Sequence, residues 1–219
     1  MSTSATSVTP RRLAARVGAL PSGASTKGTR GRVLDAALRL FAERGFGVTS
    51  IRDIAREAKV NSATLYSHYP SKEHVLAELI DLGHEEYRRR FRKALLESQP
   101  DPREQLATFV RTHVRMHAEF SMLAVVANAE LHLLSDPLGS RSRFIREELS
   151  GLFVDIVRRG VELGVFKTPD AWLAAAAIGG MGLRVAEWYR PESGYDIDTV
   201  ADTYVEFALR IVGAADKTG

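Results

Sequence analysis

The residues best suited to chemistry lie in one short stretch, from Thr49 to Tyr69, and that chemistry is hydrogen bonding. Between Ser62 and Ser67 most side chains are short or carry hydroxyls, so a helix made of them fits a DNA major groove and can bond to bases and phosphates. We expect phosphate contacts from Thr49, Ser50, Thr64, Tyr66, His68 and Lys72, and base contacts from Ser62, Ala63 and Ser67. Tyr69, which closes the stretch, belongs to the same predicted surface.

Two short helices must position these side chains. Ser50 is suited to cap the first, and Asp53, three residues on, can reach back to the cap. The apolar residues recur at spacings of three and four, which gives one buried stripe. They are Ile51, Ile54, Ala55 and Ala58. Lys59 and Val60 form a turn, and a helix-turn-helix is predicted.

The second helix of the pair is predicted over residues 62–67. Asn61 is a good cap for it, and Leu65 points into the same small core as Val60. This helix is therefore the predicted recognition helix. Two short helices of an ordinary helical domain would share these caps and stripes, so the neighbouring segments decide between the two interpretations.

The rest of the chain has apolar residues at helical spacing and no alternating strand pattern. We predict an all-α fold with about nine helices. They cover 30–44, 51–58, 62–67, 71–97, 103–120, 122–134, 140–164, 170–189 and 197–212. The predicted regions are a disordered basic arm (1–29), a three-helix DNA-binding domain (30–75), a ligand-binding and dimerisation domain (76–213) and a tail (214–219).

Charge is divided unevenly along the chain. Residues 1–70 carry 11 Lys and Arg against 4 Asp and Glu, whereas residues 71–219 carry 19 against 23. Electrostatic attraction to DNA phosphates is therefore expected from the first third of the chain. The arm contains no acidic residue; it either lies along DNA or is a solvated tail without a role.

Several classes of protein are excluded or disfavoured. The chain has no cysteine, so disulfides and thiolate zinc sites are excluded. The small-residue run from Ala174 to Gly182 is shorter than the roughly 20 residues of a membrane span, and Arg184 follows it. No Gly-rich phosphate loop or Ser-His-Asp pattern points to an enzyme. We expect a cytoplasmic protein with no membrane contact and no cofactor.

Residues 30–79 resemble the N-terminal DNA-binding domain of the TetR family of transcriptional regulators. The matching motifs are Ala-Leu-x-Leu-Phe-x-x-x-Gly-Phe from Ala37, Thr-Ser-Ile-x-x-Ile-Ala from Thr49, Ala-Thr-Leu-Tyr-x-His-Tyr from Ala63, and the Lys that follows. The resemblance implies a homodimer that binds double-stranded DNA at a palindromic operator, usually as a repressor. Lys59 departs from the pattern, because the family usually has Gly there.

The resemblance also implies how the dimer forms. In TetR-like proteins the last two long helices of each subunit build a four-helix interface, and residues 170–189 and 197–212 match that role. Small residues in the first of these helices permit a close approach. A helix buried within its own subunit is the alternative.

A TetR-like second domain implies a pocket for a small-molecule effector. Our candidates are Phe109, His113, Met116, His117, Phe120, Asn128, Arg143, Arg146, Met181 and Trp188. The C-terminal half is similar to the lipid-responsive TetR subgroup, which commonly responds to acyl-CoA thioesters. Arg141, Arg143 and Arg146 would then meet CoA phosphates, or form a solvated face. His113 and His117 lack a third ligand, so we expect no metal.

The predicted function is a ligand-responsive repressor released from DNA by an apolar or acyl-CoA-type metabolite. A TetR-like regulator of another hydrophobic effector or drug, and a helical adaptor that does not bind DNA, are the alternatives.

Overall fold

The computed structural model describes residues 19–21 and 28–214, and every regular element in those ranges is helical. The helices are α1 (Gly28–Arg44), α2 (Ile51–Glu57), α3 (Ser62–His68), α4 (Lys72–Glu97), α5 (Pro102–Glu119), α6 (Ser121–Glu130), α7 (Asp136–Glu162), α8 (Ala171–Trp188) and α9 (Ile197–Ile211). Short 3₁₀ turns follow α6 and α8, at Leu131–Leu133 and Pro191–Ser193. The predicted all-α fold of about nine helices is confirmed.

Several helix boundaries differ from the prediction. α1 begins at Gly28 instead of residue 30, and α6 ends at Glu130, where a 3₁₀ turn replaces its predicted last turn. α7 begins at Asp136, four residues early. Pro137 falls in the predicted gap between residues 134 and 140, but it occupies the first turn of α7, where a helix needs no N–H from that residue.

The ends of the chain are described only in part. Most of the predicted disordered arm, residues 1–18 and 22–27, lies outside the described residues. Within the arm Pro21 is buried, Leu20 packs against the core, and Gly28 and Thr29 begin α1, so the prediction is corrected at these positions. Ala214 packs at the end of α9, and residues 215–219 lie outside the described part.

One hydrophobic core joins the helix-turn-helix to α6. Phe41 from α1, Leu65 from α3 and Leu76 from α4 are its centre, and Leu123 and Val126 from α6 complete it. α4 runs through the boundary predicted at residues 75 and 76. The DNA-binding unit therefore shares a helix and a core with the rest of the chain.

A second core fills the bundle of α4, α5, α7, α8 and α9. Phe91, Leu106 and Ile145 are fully buried in it. α5 lies at the centre and packs against both α8 and α9. Gly182 permits its close approach to α8, because a Cβ there would lie 2.0 Å from Cδ2 of His113.

Candidate DNA-binding surface and ligand cavity

The sequence around α2 fixes its first turn by reciprocal hydrogen bonds. Oγ of Ser50 accepts from the Asp53 backbone N–H at 3.1 Å, and the Ser50 N–H donates to the Asp53 carboxylate at 3.0 Å. The Ser50 hydroxyl also donates to the Asp53 carboxylate at 2.5 Å, and this bond, together with that from the Ser50 N–H, lowers the pKa of Asp53. The capping box read from the sequence is therefore present, and it fixes the chain that leads into the turn.

The turn between α2 and α3 contains Lys59 with φ of 54°, the only non-glycine residue with positive φ in the described ranges. Left-handed backbone at a residue with a Cβ costs about 1 kcal/mol. Lys59 therefore holds the conformation that the family's usual Gly would adopt without strain.

α3 exposes most of the residues predicted to contact DNA. Asn61 caps it by accepting from the Thr64 N–H at 2.7 Å, and Leu65 is fully buried beneath it. Tyr66 is 51% exposed, although large aromatic side chains are usually covered. The exposed predicted residues of this helix are Ser62, Ala63, Tyr66, Ser67 and His68; Thr64 is half-buried. They form one polar, solvent-facing surface.

Two predicted DNA contacts have side chains that point inward, and the prediction is corrected for them. Thr49 is 2% exposed and its hydroxyl donates to the Gly45 carbonyl at 2.9 Å. Tyr69 is 4% exposed and its hydroxyl donates to Glu78 at 2.9 Å. Each hydroxyl proton is used inside the protein, so these side chains support the surface from behind.

Lys72 also has partners within the protein. Its Nζ donates to the carbonyls of Phe46 at 2.8 Å and Thr49 at 3.0 Å, and it lies 4.2 Å from the centre of the Phe46 ring. Lys72 therefore ties the start of α4 to the loop between α1 and α2. It remains beside the exposed face, next to Ser50.

A cavity of about 400 Å³ lies among α4, α5, α6, α7 and α8. The predicted ligand residues that line it are Phe109, His113, Met116, His117, Phe120, Asn128 and Arg146. Most of its other walls are apolar, and the exposed residues that line it are Asn128, Arg146, Ser150, Trp172, Ala176 and Gly180. A largely apolar cavity with few polar groups is typical of a small-molecule site.

Three predicted ligand residues lie elsewhere, and the prediction is corrected for them. Arg143 donates to Asp136 at 2.9 Å within the first turns of α7. Met181 packs into the second core. Trp188 lies at the last residue of α8 against Tyr189 and is 39% exposed. A position on the correct helix does not decide which face of that helix the cavity meets.

Sequence reasoning missed the contribution of α4. Gly83, His84 and Tyr87 line the cavity from this helix. Tyr87 follows Gly83 by four residues and His84 by three, so all three lie on the same side of the helix, and this spacing is the signal that could have found them. Gly179 and Gly180 also line the cavity, although the small-residue run that contains them was assigned to dimer contact.

Hydrogen bonds hold the three imidazoles of the cavity in fixed orientations. His113 Nε2 lies 3.0 Å from the Gly179 carbonyl and its Nδ1 lies 2.8 Å from the Tyr87 hydroxyl. His117 Nδ1 lies 2.8 Å from the His113 carbonyl, and His84 Nδ1 lies 3.0 Å from the Ile80 carbonyl. The rings of His113 and His117 are 4.3 Å apart.

Burial favours the neutral form of these imidazoles. Burial lowers the pKa of His117 to about 4 and holds the pKa of His113 well below its ordinary value. Burial also lowers the pKa of His84. His84 was not among the predicted cavity residues, and it brings a third histidine to the cavity. Within the described ranges, no group of three or more His, Cys, Asp or Glu is arranged to hold a metal ion.

Two models of known protein families match this chain. The family described as "Bacterial regulatory proteins, tetR family" matches residues 33–79, and the family described as "Tetracyclin repressor-like, C-terminal domain" matches residues 99–212. The chain belongs to the TetR family. It is therefore a DNA-binding transcriptional regulator, and α2 and α3 are the helix-turn-helix of a TetR protein.

Individual TetR relatives extend over nearly the whole chain. The HTH-type transcriptional repressor KstR2 of Rhodococcus jostii is 30% identical over 194 residues, which cover 86% of this chain and 95% of that protein. The fatty acid metabolism regulator protein of Bacillus subtilis is 25% identical over 180 residues, 81% of this chain and 92% of that protein. The structure of the ketosteroid transcriptional regulator KstR2 of Mycobacterium tuberculosis superimposes with a TM-score of 0.79 at 26% identity, covering 92% and 100%.

No helix in the described part of this TetR protein is both long enough and apolar enough to cross a membrane. The apolar run of α8 is instead used for packing and for the cavity wall.

Proposed function

We propose that this TetR protein is a homodimeric repressor that an apolar, acyl-CoA-type metabolite releases from a palindromic operator. One observation carries the proposal: the cavity is lined by His84 and Tyr87 of α4, while Val75 and Leu76 of the same helix are buried under the helix-turn-helix. An occupant of the cavity therefore touches the helix that supports the DNA-binding unit. Ligand and DNA then oppose each other by reciprocal linkage.

The exposed face of α3 would enter the major groove. Ser62, Ala63 and Ser67 would contact base edges, and Tyr66 and His68 would hold phosphates together with Thr64 and Ser50. Their exposure supports this assignment. We expect the protein in the cytoplasm, because its operator is there.

Two further contacts also link the cavity to the DNA-binding unit. α6 lines the cavity with Leu123 and Ala127, and at its end the Glu130 carboxylate accepts from the Phe46 N–H at 3.4 Å. Glu73, in the first turn of α4, accepts from the Ser135 N–H at 2.8 Å. Movement of α6 would therefore be transmitted to the loop before α2 and to the first turn of α4.

Homodimerisation is proposed through α8 and α9. Both helices expose large apolar side chains, and unpartnered apolar surface of this kind marks protein interfaces. The exposed residues are Leu173, Trp188, Phe207 and Ile211. A two-fold dimer places two recognition helices on the two halves of one operator.

The effector is inferred from the cavity and from the relatives. The two relatives are named for fatty acid metabolism and as a ketosteroid regulator, and both names point to apolar carbon skeletons. At the rim Arg146 makes no ion pair with a carboxylate of residues 28–214, whereas Arg141 and Arg143 are paired with Glu85 and Asp136. Arg146 is thus the arginine available to a CoA phosphate.

The test begins with duplexes selected by the protein from a random library. Fluorescence anisotropy then follows the selected duplex while decanoyl-CoA, decanoic acid or free CoA is added. We expect release by decanoyl-CoA, a weaker response in Arg146→Ala, and no release by free CoA. If decanoic acid alone released the duplex at equal concentration, the effector would be an apolar molecule other than a CoA thioester. If the protein selected no duplex, the proposed repressor function would be contradicted.

A further inference from the structure

The hydrogen bonds of the cavity histidines determine where each proton lies. A carbonyl oxygen can only accept, so the ring nitrogen that faces it carries the hydrogen. His84 Nδ1 faces the Ile80 carbonyl and His117 Nδ1 faces the His113 carbonyl. Both rings, when neutral, are therefore Nδ1–H tautomers whose Nε2 is a bare acceptor.

His113 has the opposite arrangement. Its Nε2 faces the Gly179 carbonyl and carries the hydrogen, so its Nδ1 accepts from the Tyr87 hydroxyl. Both nitrogens of His113 are satisfied within the protein. The Tyr87 proton is also used, which leaves only lone pairs on its oxygen.

The free acceptors belong to the cavity. His117 is 7% exposed and lines the cavity, and its Nε2 has no hydrogen-bond partner among residues 28–214. His84, on α4, is half-buried and also lines the cavity, and its Nε2 likewise has no hydrogen-bond partner among residues 28–214. A polar cavity atom without a protein partner favours an occupant that satisfies it.

We propose that the inner cavity selects an apolar ligand bearing a hydroxyl group, which donates its hydrogen bond to Nε2 of His117, with His84 Nε2 as the second acceptor. The proposal rests on the cavity being the effector site. The rim complements it, since Arg146 and Asn128 supply donors there. The cavity thus has acceptors inside and donors at its mouth, which suits a ligand with an anionic or carbonyl end outside and a hydroxyl inside.

A carboxylate or ketone fits the inner acceptors poorly. Either group offers only lone pairs, and it would face the lone pairs of His117 and Tyr87 unless a ring became protonated. Burial opposes that protonation by lowering the pKa of His117. A hydroxyl needs no such change, because it brings its own proton.

The tautomers can be measured directly. In ¹⁵N-histidine-labelled protein, two-bond ¹⁵N–¹H correlation spectra distinguish Nδ1–H from Nε2–H rings. We expect Nδ1–H signals for His84 and His117 and an Nε2–H signal for His113. An Nε2–H signal for His117 would place a donor in the cavity and overturn the proposal.

Ligand selectivity is tested with 2-naphthol and 2-methylnaphthalene, which have the same shape and differ in the hydroxyl. Calorimetric titration of the full-length protein should show 2-naphthol bound about tenfold more tightly, the size of one net hydrogen bond. His117→Phe should remove the preference. His117→Gln, which returns an amide oxygen near the Nε2 position, should restore part of it, and the exposed control His132→Phe should keep all of it.

The outcomes separate this proposal from the function on which it rests. Equal affinity for both probes in the parent protein, or an undiminished preference in His117→Phe, would overturn the hydroxyl assignment and leave the cavity as the effector site. If neither naphthalene nor decanoyl-CoA bound, the proposal that the cavity is the effector site would itself be contradicted.

Discussion

The DNA-binding face and the ligand cavity are built in opposite ways. The face comes from one seven-residue helix, α3, whose exposed side chains are neighbours in the sequence. The cavity collects its walls from five helices between Gly83 and Leu183. The first is a local surface on a small core, and the second exists only after distant helices have packed. The difference predicts that changes on the face will affect binding alone, while changes in the cavity will also affect folding.

The largest effect is expected from pH at the cavity. The pKa of His117 is about 4 when folded and about 6.5 when exposed. Between pH 4 and pH 6.5 the unfolded chain binds a proton at His117 and the folded chain does not. The free energy of unfolding is therefore undiminished by His117 above about pH 6.5, and it falls by about 3 kcal/mol as the pH is lowered from about 6.5 to about 4.

The measurement is the free energy of unfolding by urea at pH 7.5 and pH 5, at fixed protein concentration. We expect the parent to lose about 2 kcal/mol more than His117→Gln over this interval. The exposed control His132→Gln should behave like the parent. An identical pH dependence in parent and His117→Gln would show that His117 is not held neutral by burial.

The next effect concerns the contact between α5 and α8. In Gly182→Ala the new Cβ would lie 2.0 Å from His113 Cδ2, and that ring is held by hydrogen bonds on both nitrogens. Overpacking of this kind costs about 1–3 kcal/mol. Gly151→Ala is the matched control, because nothing lies within 4 Å of its Cβ, and it should stabilise α7 by about 0.5–1 kcal/mol.

Thermal unfolding of the two variants sharpens the comparison. We expect changes in melting temperature of opposite sign: Gly182→Ala should melt below the parent, and Gly151→Ala should melt at or above it. Equal melting temperatures would mean that His113 moves aside freely and that its orientation in the cavity is not fixed.

The two regions also differ in how far the sequence could predict them. The cap at Ser50 follows from spacing at the start of α2, and the buried Leu65 and exposed Tyr66 follow from spacing within α3; all are present. Tyr69 was misplaced because its burial depends on Glu78, nine residues away on α4. Arg143 and Arg146 are indistinguishable by local pattern, and only packing shows that Arg146 reaches the cavity. Long-range packing, which periodicity does not contain, decided these positions.

A smaller effect is expected at the DNA-binding face. Tyr66→Ala should weaken binding to every duplex by about 1–2 kcal/mol, because a phosphate contact carries no sequence information. The same change should alter the free energy of unfolding by less than about 0.5 kcal/mol, since Tyr66 is 51% exposed.

Anisotropy on selected and scrambled duplexes, together with urea unfolding, measures both effects of Tyr66→Ala. Ser62→Ala is the contrast, and it should change which duplexes are selected. Unchanged affinity in Tyr66→Ala would contradict the assignment of α3 as the recognition helix.

The smallest effect lies in the turn between α2 and α3. Lys59→Gly should stabilise the protein by at most about 1 kcal/mol, because φ of 54° is unstrained for glycine and glycine also loses more entropy on folding. Lys59→Ala keeps the Cβ and should give no gain in the melting temperature. A loss of stability in Lys59→Gly would show that the Lys59 side chain, and not the strain, dominates at this position.

The central claim is that the cavity and the DNA-binding face are coupled through α4, and one variant tests it most directly. Gly179→Leu places a side chain where a Cβ meets nothing within 4 Å, so it should fill the cavity without disturbing α3. Decanoyl-CoA is titrated into parent and variant bound to the same selected duplex, and anisotropy is recorded. If the effector acts from this cavity, the parent releases its DNA while Gly179→Leu binds the duplex equally well and retains it. Equal release from both proteins would show that the effector acts outside this cavity.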